Sequence, residues 1–63
     1  MITERKAGQM ANRIHAARAA GEITLRTALD LLEKLSPYLS TTQFHKLLDL
    51  QNHAQYNPHL LDE

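Results

Sequence analysis

Arg18-Ala19-Ala20-Gly21-Glu22-Ile23-Thr24-Leu25 is the stretch on which the architecture of this 63-residue chain turns. Gly21 is the residue type best suited to the left-handed conformation that closes a helix, and Arg18 places a cation at the negative end of the helix dipole before it. Thr24 can accept a hydrogen bond from a first-turn amide and so open a second helix. Only Gly21-Glu22-Ile23 separates the two. So short a connection forces the helices to fold back on each other as an antiparallel hairpin.

Outward from that turn, the first helix is expected over residues 3–20, with Thr3 as N-cap and Glu4 at the positive end of the dipole. Gly8 is its weak point, costing about 1 kcal/mol relative to alanine. The second helix spans 24–36, with Leu25, Leu29, Leu32 and Leu35 in one stripe widened by Ala28 and Leu31. Pro37 ends it, because the residue before a proline is pushed out of the helical region. The third helix is expected over 40–57. Ser40-Thr41-Thr42-Gln43 has the form of a capping box, and Leu39 and Phe44 are spaced for a hydrophobic staple. Phe44, Leu47, Leu48, Leu50 and Ala54 then cover an arc of roughly 160°. Asn57-Pro58 stops this helix, and residues 58–63 are expected to fray unless Leu60 and Leu61 dock. The expected fold is all-α, a single domain over 1–63 made of a helical hairpin and a third short helix.

Composition sharpens the picture. Apolar residues make up 43% of the chain, mostly alanine and leucine, with Phe44, Tyr38 and Tyr56 the three aromatics. Helices must therefore pack through aliphatic side chains. A domain of this size leaves most of its surface wet and is marginal alone. With no cysteine, neither a disulfide nor a thiolate metal site can help. Self-association is the remaining support, so a homodimeric helical bundle is expected. No apolar run reaches the ~18 residues needed to span a bilayer. Met1-Ile2-Thr3-Glu4-Arg5-Lys6 has no apolar core behind its charges and does not read as a signal peptide.

Ala7, Met10, Ile14, Ala17 and Gly21 recur at spacings of three and four along the first helix, the pattern of a narrow coiled-coil seam. The small residues in it allow a partner helix to come close. The second helix of the same chain can be that partner, and a second copy can share the seam. Where the seam is not used internally, Met10 and Ile14 can bury against a partner while Arg5, Arg13 and Arg18 orient it. Ala7, Met10, Ile14 and Ala17 with these three arginines are the candidate protein interface.

Other chemistries find less support. Residues 1–26 carry a net charge of +3 and residues 27–63 a net of −3, so the chain is neutral overall but polar along its length. The basic half has no aromatic to stack on a base, and the acidic half repels phosphates. Nucleic acid is an unfavoured partner. Helices two and three could still form a helix-turn-helix, with Thr41, Thr42, Gln43, His45 and Lys46 at the start of the recognition helix. The joining segment lacks the usual glycine, and Ser40 and Gln43 already serve as caps. His45, Asp49 and His53 share a helix face, but the two histidines lie about 12 Å apart along the axis, too far for one ion. No metal or cofactor is expected. No phosphate loop and no nucleophile–base pair is present, and Ser36 and Ser40 read as turn and cap residues. An enzyme acting on a small-molecule substrate is not expected.

With the helices placed, the chain resembles the short early proteins encoded in the exo–xis region of phage lambda and other lambdoid phages. The likeness covers the whole length, including Met1-Ile2-Thr3-Glu4-Arg5-Lys6-Ala7-Gly8 and Asn57-Pro58-His59-Leu60-Leu61-Asp62-Glu63. It rests on overall similarity and length rather than on a functional motif. It implies an accessory protein made in the cytoplasm of an infected bacterium, tuning the host cell cycle and the choice between lysis and lysogeny. It brings no catalytic or ligand residues with it.

Overall fold

The computed structural model describes residues 1–61; Asp62 and Glu63, the end of the expected frayed tail, lie outside the described residues. Three helices form: α1 (Glu4–Ala19), α2 (Leu25–Leu35) and α3 (Thr41–Tyr56). Short 3₁₀ turns follow α2 at Ser36–Tyr38 and α3 at Pro58–Leu60. The protein is all-α, with no strand among the described residues.

Each helix starts where a hydroxyl can serve its first turn. Thr3 Oγ1 accepts from the Lys6 amide at 3.1 Å, Thr24 Oγ1 from the Thr27 amide at 3.1 Å, and Ser40 Oγ from the Gln43 amide at 3.3 Å. These bonds satisfy amides that have no partner inside the helix. At the far end of α1, Gly21 takes φ +76°. That conformation brings the Glu22 amide to the Ala17 carbonyl at 2.9 Å and the Gly21 amide to the Arg18 carbonyl at 3.0 Å. The pair of bonds is a Schellman motif, and it reverses the chain into the hairpin.

α2 is the central helix and packs against both others. Its face Leu25, Ala28, Leu32 and Leu35 is buried. Ala11 of α1 and Leu47, Leu50 and Ala54 of α3 complete the core, with Ile14, Ile23, Leu29, Leu39, Leu60 and Leu61 packed around it. Among the described residues, only Leu32 and Leu47 are large side chains that are fully buried. The molecule measures 34 × 21 × 15 Å, so its thinnest dimension is little more than one helix diameter. Every helix therefore keeps a face on solvent.

The seam runs in a different register from the expected one. Ala7 and Ala11 are 0% exposed, and Ala11 shares the core cluster with Ala28, also 0% exposed, whereas Met10, Ile14 and Ala17 are only half-buried. From Ala7, spacings of three and four lead equally to Met10 or Ala11. Apolarity points to Met10, but close approach of two helices selects the smaller side chain. Gly21 is outside the seam altogether: it is exposed and belongs to the turn.

Three further expectations change. α3 does not bury its whole apolar arc, since Phe44 stays 40% exposed and Leu48 39%. The capping box is half made: Gln43 Nε2 reaches not back to Ser40 but across to Asn12 Oδ1 on α1, at 2.8 Å. Finally, residues 58–61 are not frayed. Leu60 and Leu61 pack on the core, and the Leu61 carbonyl accepts from the Arg26 amide at 3.1 Å. The tail thereby satisfies a first-turn amide of α2 that its own helix cannot serve.

Candidate functional site

The hairpin makes α1 and α2 antiparallel, and the Gln43–Asn12 bond ties the start of α3 to α1. Residues 15 and 18 of α1 line a common groove with residues 46, 49, 50 and 53 of α3. Numbers rise together on both walls, so α1 and α3 run parallel, bridged from behind by α2.

Helix geometry then sorts the surfaces. At 100° per residue, Met10, Ile14 and Ala17 lie on one flank of the buried Ala7–Ala11 line, and Asn12 and His15 lie on the other, facing α3. On α2, Glu33 faces α3, because Gln51 Nε2 donates to Glu33 Oε1 at 3.1 Å. Leu31, 39% exposed, is about 200° round from Glu33 and so falls on the outer flank of the hairpin. Met10, Ala17 and Leu31 thus share one outward strip, with Ile14 at its inner edge against the core. Phe44 and Leu48 form a second strip, on the flank of α3 that carries Gln51 toward α2.

Of the candidate interface residues, Ala7 is sealed inside and cannot meet a partner. Arg13 is exposed at the border of the first strip. Arg5 is exposed too, but it lies roughly 120° from the Ala11 line on the opposite side of α1. Arg18 is half-buried in the groove beside α3 rather than on the strip. Leu31, Phe44 and Leu48 belong to the outward surface although the sequence pattern assigned them inward. The width of the α3 arc was the signal: one neighbouring helix cannot cover roughly 160°.

The start of α3 is divided. Thr41, Thr42 and His45 are exposed. Gln43 is committed to Asn12, and Lys46 lines the groove with α1. Asp49 and His53 also line that groove, together with His15 rather than with His45. No group of three His, Asp or Glu among the described residues is arranged to hold a metal ion.

The groove measures about 360 Å³ and is lined by His15, Arg18, Lys46, Asp49, Leu50 and His53. A second hollow of about 250 Å³ lies at the turn end between Ile23, Leu25 and Leu60, with Arg18 and His53 on its rim. Burial, and then the charges of Lys46 and Arg18, hold the His15 imidazole below its ordinary pKa of 6.5. No helix among the described residues is long and apolar enough to cross a membrane. No protein-family model, curated protein or solved structure matches this chain.

Proposed function

We propose that this protein is a non-enzymatic interaction module that self-associates and binds a protein of its host cell. The observation that carries the proposal is the outward placement of large apolar side chains: Leu31, Phe44 and Leu48 remain about two-fifths exposed, while only two large side chains among the described residues are fully buried. Water contact at such positions is unfavourable, and burial against another protein relieves it. The Phe44–Leu48 strip is the self-association surface. The hairpin edge of Met10, Ile14, Ala17 and Leu31, with Arg13 at its border, is the surface for the second protein. Aliphatic contact there supplies affinity, and Arg13 supplies orientation and on-rate.

The resemblance to early proteins of lambdoid phages supports the setting: the cytoplasm of an infected bacterium, with a host factor as partner and the cell cycle or the lysis–lysogeny choice as outcome. Sedimentation and affinity capture test the two surfaces separately. Phe44→Asp with Leu48→Asp turns a dimer into a folded monomer, while Met10→Asp with Ile14→Asp removes the captured partner and leaves the mass unchanged. A native chain that is monomeric at all concentrations and captures nothing dependent on Met10 or Ile14 overturns the proposal. Retardation of duplex DNA at physiological salt, lost with Thr42→Ala or Lys46→Gln, would replace it with a DNA-binding regulator.

A further inference from the structure

Four nitrogen-bearing side chains converge on the groove between α1 and α3. His15 and Arg18 form one wall, Lys46 and His53 line the other, and the buried Leu50 lies between. Asp49 is the single carboxylate among the described residues of the lining. Its charge balances one of the two permanent cations, which leaves +1 with both imidazoles neutral and +3 with both protonated. Moreover, His15 Nε2 and Arg18 Nε are two of the three buried side-chain polar atoms with no hydrogen-bond partner among the described residues; the third, Gln43 Oε1, lies outside the lining. Buried polar atoms without partners are costly and rare in folded proteins. Here the first two belong to one cluster, in which the two permanent cations outnumber the carboxylate.

We propose that this groove is an oxyanion site that takes a dianionic phosphate group, held between Arg18 and His15 on α1 and Lys46 and His53 on α3. Arginine offers two donors to phosphate oxygens and lysine adds a point charge. A tetrahedral group presents oxygens to both walls at once, whereas a planar carboxylate serves one wall well and leaves the other unmet. The ligand's charge also fits the groove best when the imidazoles are protonated. Around His15 the charged neighbours are Arg18 from its own helix and Lys46, Asp49 and His53 from α3; α2 adds none to the lining. Lys46 and Arg18 oppose the protonation of His15, and a bound dianion reverses that opposition. Occupancy and His15 protonation therefore rise together. The site is independent of the apolar strips, because Phe44 and Leu48 lie on the far flank of α3.

Titration of the full-length protein by NMR tests the site, with inorganic phosphate and a nucleoside monophosphate in parallel and sodium chloride at matched ionic strength as the reference. Expected are saturable shifts confined to His15, Arg18, Lys46, Asp49 and His53, and an upward move of the His15 titration midpoint. Equal affinity for both ligands means that the phosphate alone is read, and a stronger nucleotide response means that its remainder is also held; either result supports the site. Lys46→Gln weakens binding at least about tenfold, and so does Arg18→Gln, whose fold is checked by circular dichroism. Lys34→Gln, exposed on α2, changes nothing. Shifts spread over Arg5, Lys6, Arg13 and Lys34 and reproduced by chloride would overturn the site. So would a response of the groove residues to duplex DNA without one to inorganic phosphate or to the nucleoside monophosphate.

Discussion

The two glycines carry opposite demands, and replacing each by alanine isolates the difference. A Cβ built on Gly8 or on Gly21 meets no atom within 4 Å, so packing contributes to neither change. Gly8 lies within α1 at an ordinary negative φ. Alanine there removes backbone freedom from the unfolded chain and favours the helix by about 1 kcal/mol. Gly21 sits at φ +76°, where a Cβ crowds the following carbonyl. Alanine there costs about 1–2 kcal/mol, less a few tenths regained from the unfolded state. In a domain of this size, 1 kcal/mol moves Tm by about 4–8 °C. Thermal denaturation followed by circular dichroism, at one fixed concentration because association shifts Tm, should show Gly8→Ala melting higher and Gly21→Ala lower by comparable amounts. The double variant should fall close to the native chain, since the sites share no partner. A lowered Tm for Gly8→Ala would refute the reasoning. It would mean that the space beside Gly8 is filled by something outside this chain, which a concentration-dependent loss of mass would then identify as a second copy.

Leu32 is fully buried at the centre of α2, and Leu32→Ala should cost about 2–5 kcal/mol, enough to unfold much of a marginal population, read by urea denaturation. Replacing Leu60 and Leu61 together by alanine should lose about 2 kcal/mol or more and raise hydrogen exchange at the Arg26 amide, whose acceptor is the Leu61 carbonyl; unchanged exchange would mean that the tail is not seated on α2. His15 is held below its ordinary pKa by burial and by Lys46 and Arg18, so the unfolded chain binds its proton first. Its contribution to stability is accordingly intact above about pH 6.5 and shrinks as the pH falls from there toward the folded value, a slope that His15→Gln should flatten in denaturation at pH 7.5 and 5.5. In a double-mutant cycle on Asn12→Ala and Gln43→Ala, the inter-helix bond should register a coupling of about 0.5–1 kcal/mol, and zero coupling would detach α3 from α1.

Local chemistry wrote the helix limits directly into the chain. Thr3, Thr24 and Ser40 each bond their own first turn, and Gly21 turns the hairpin, because caps and turns involve residues only a few positions apart. The centre of the α2 stripe, Leu25, Ala28, Leu32 and Leu35, was legible for the same reason, whereas Leu31 at its margin stays outward. Where α1 and α3 meet their neighbours, periodicity was not enough. Spacing allowed Met10 or Ala11 in the seam, and only the approach of α2 chose Ala11. Phe44 and Leu48 belong to a good apolar arc, yet three thin helices provide no fourth surface to cover them. The groove was out of sight entirely, since it depends on α1 and α3 running parallel and bringing His15 and Arg18 opposite Lys46 and His53. Sequence alone determined where this chain is helical and where it turns, through interactions spanning a few residues. Tertiary structure decided which faces are left outward and which charges meet, because those depend on contacts between residues some thirty positions apart.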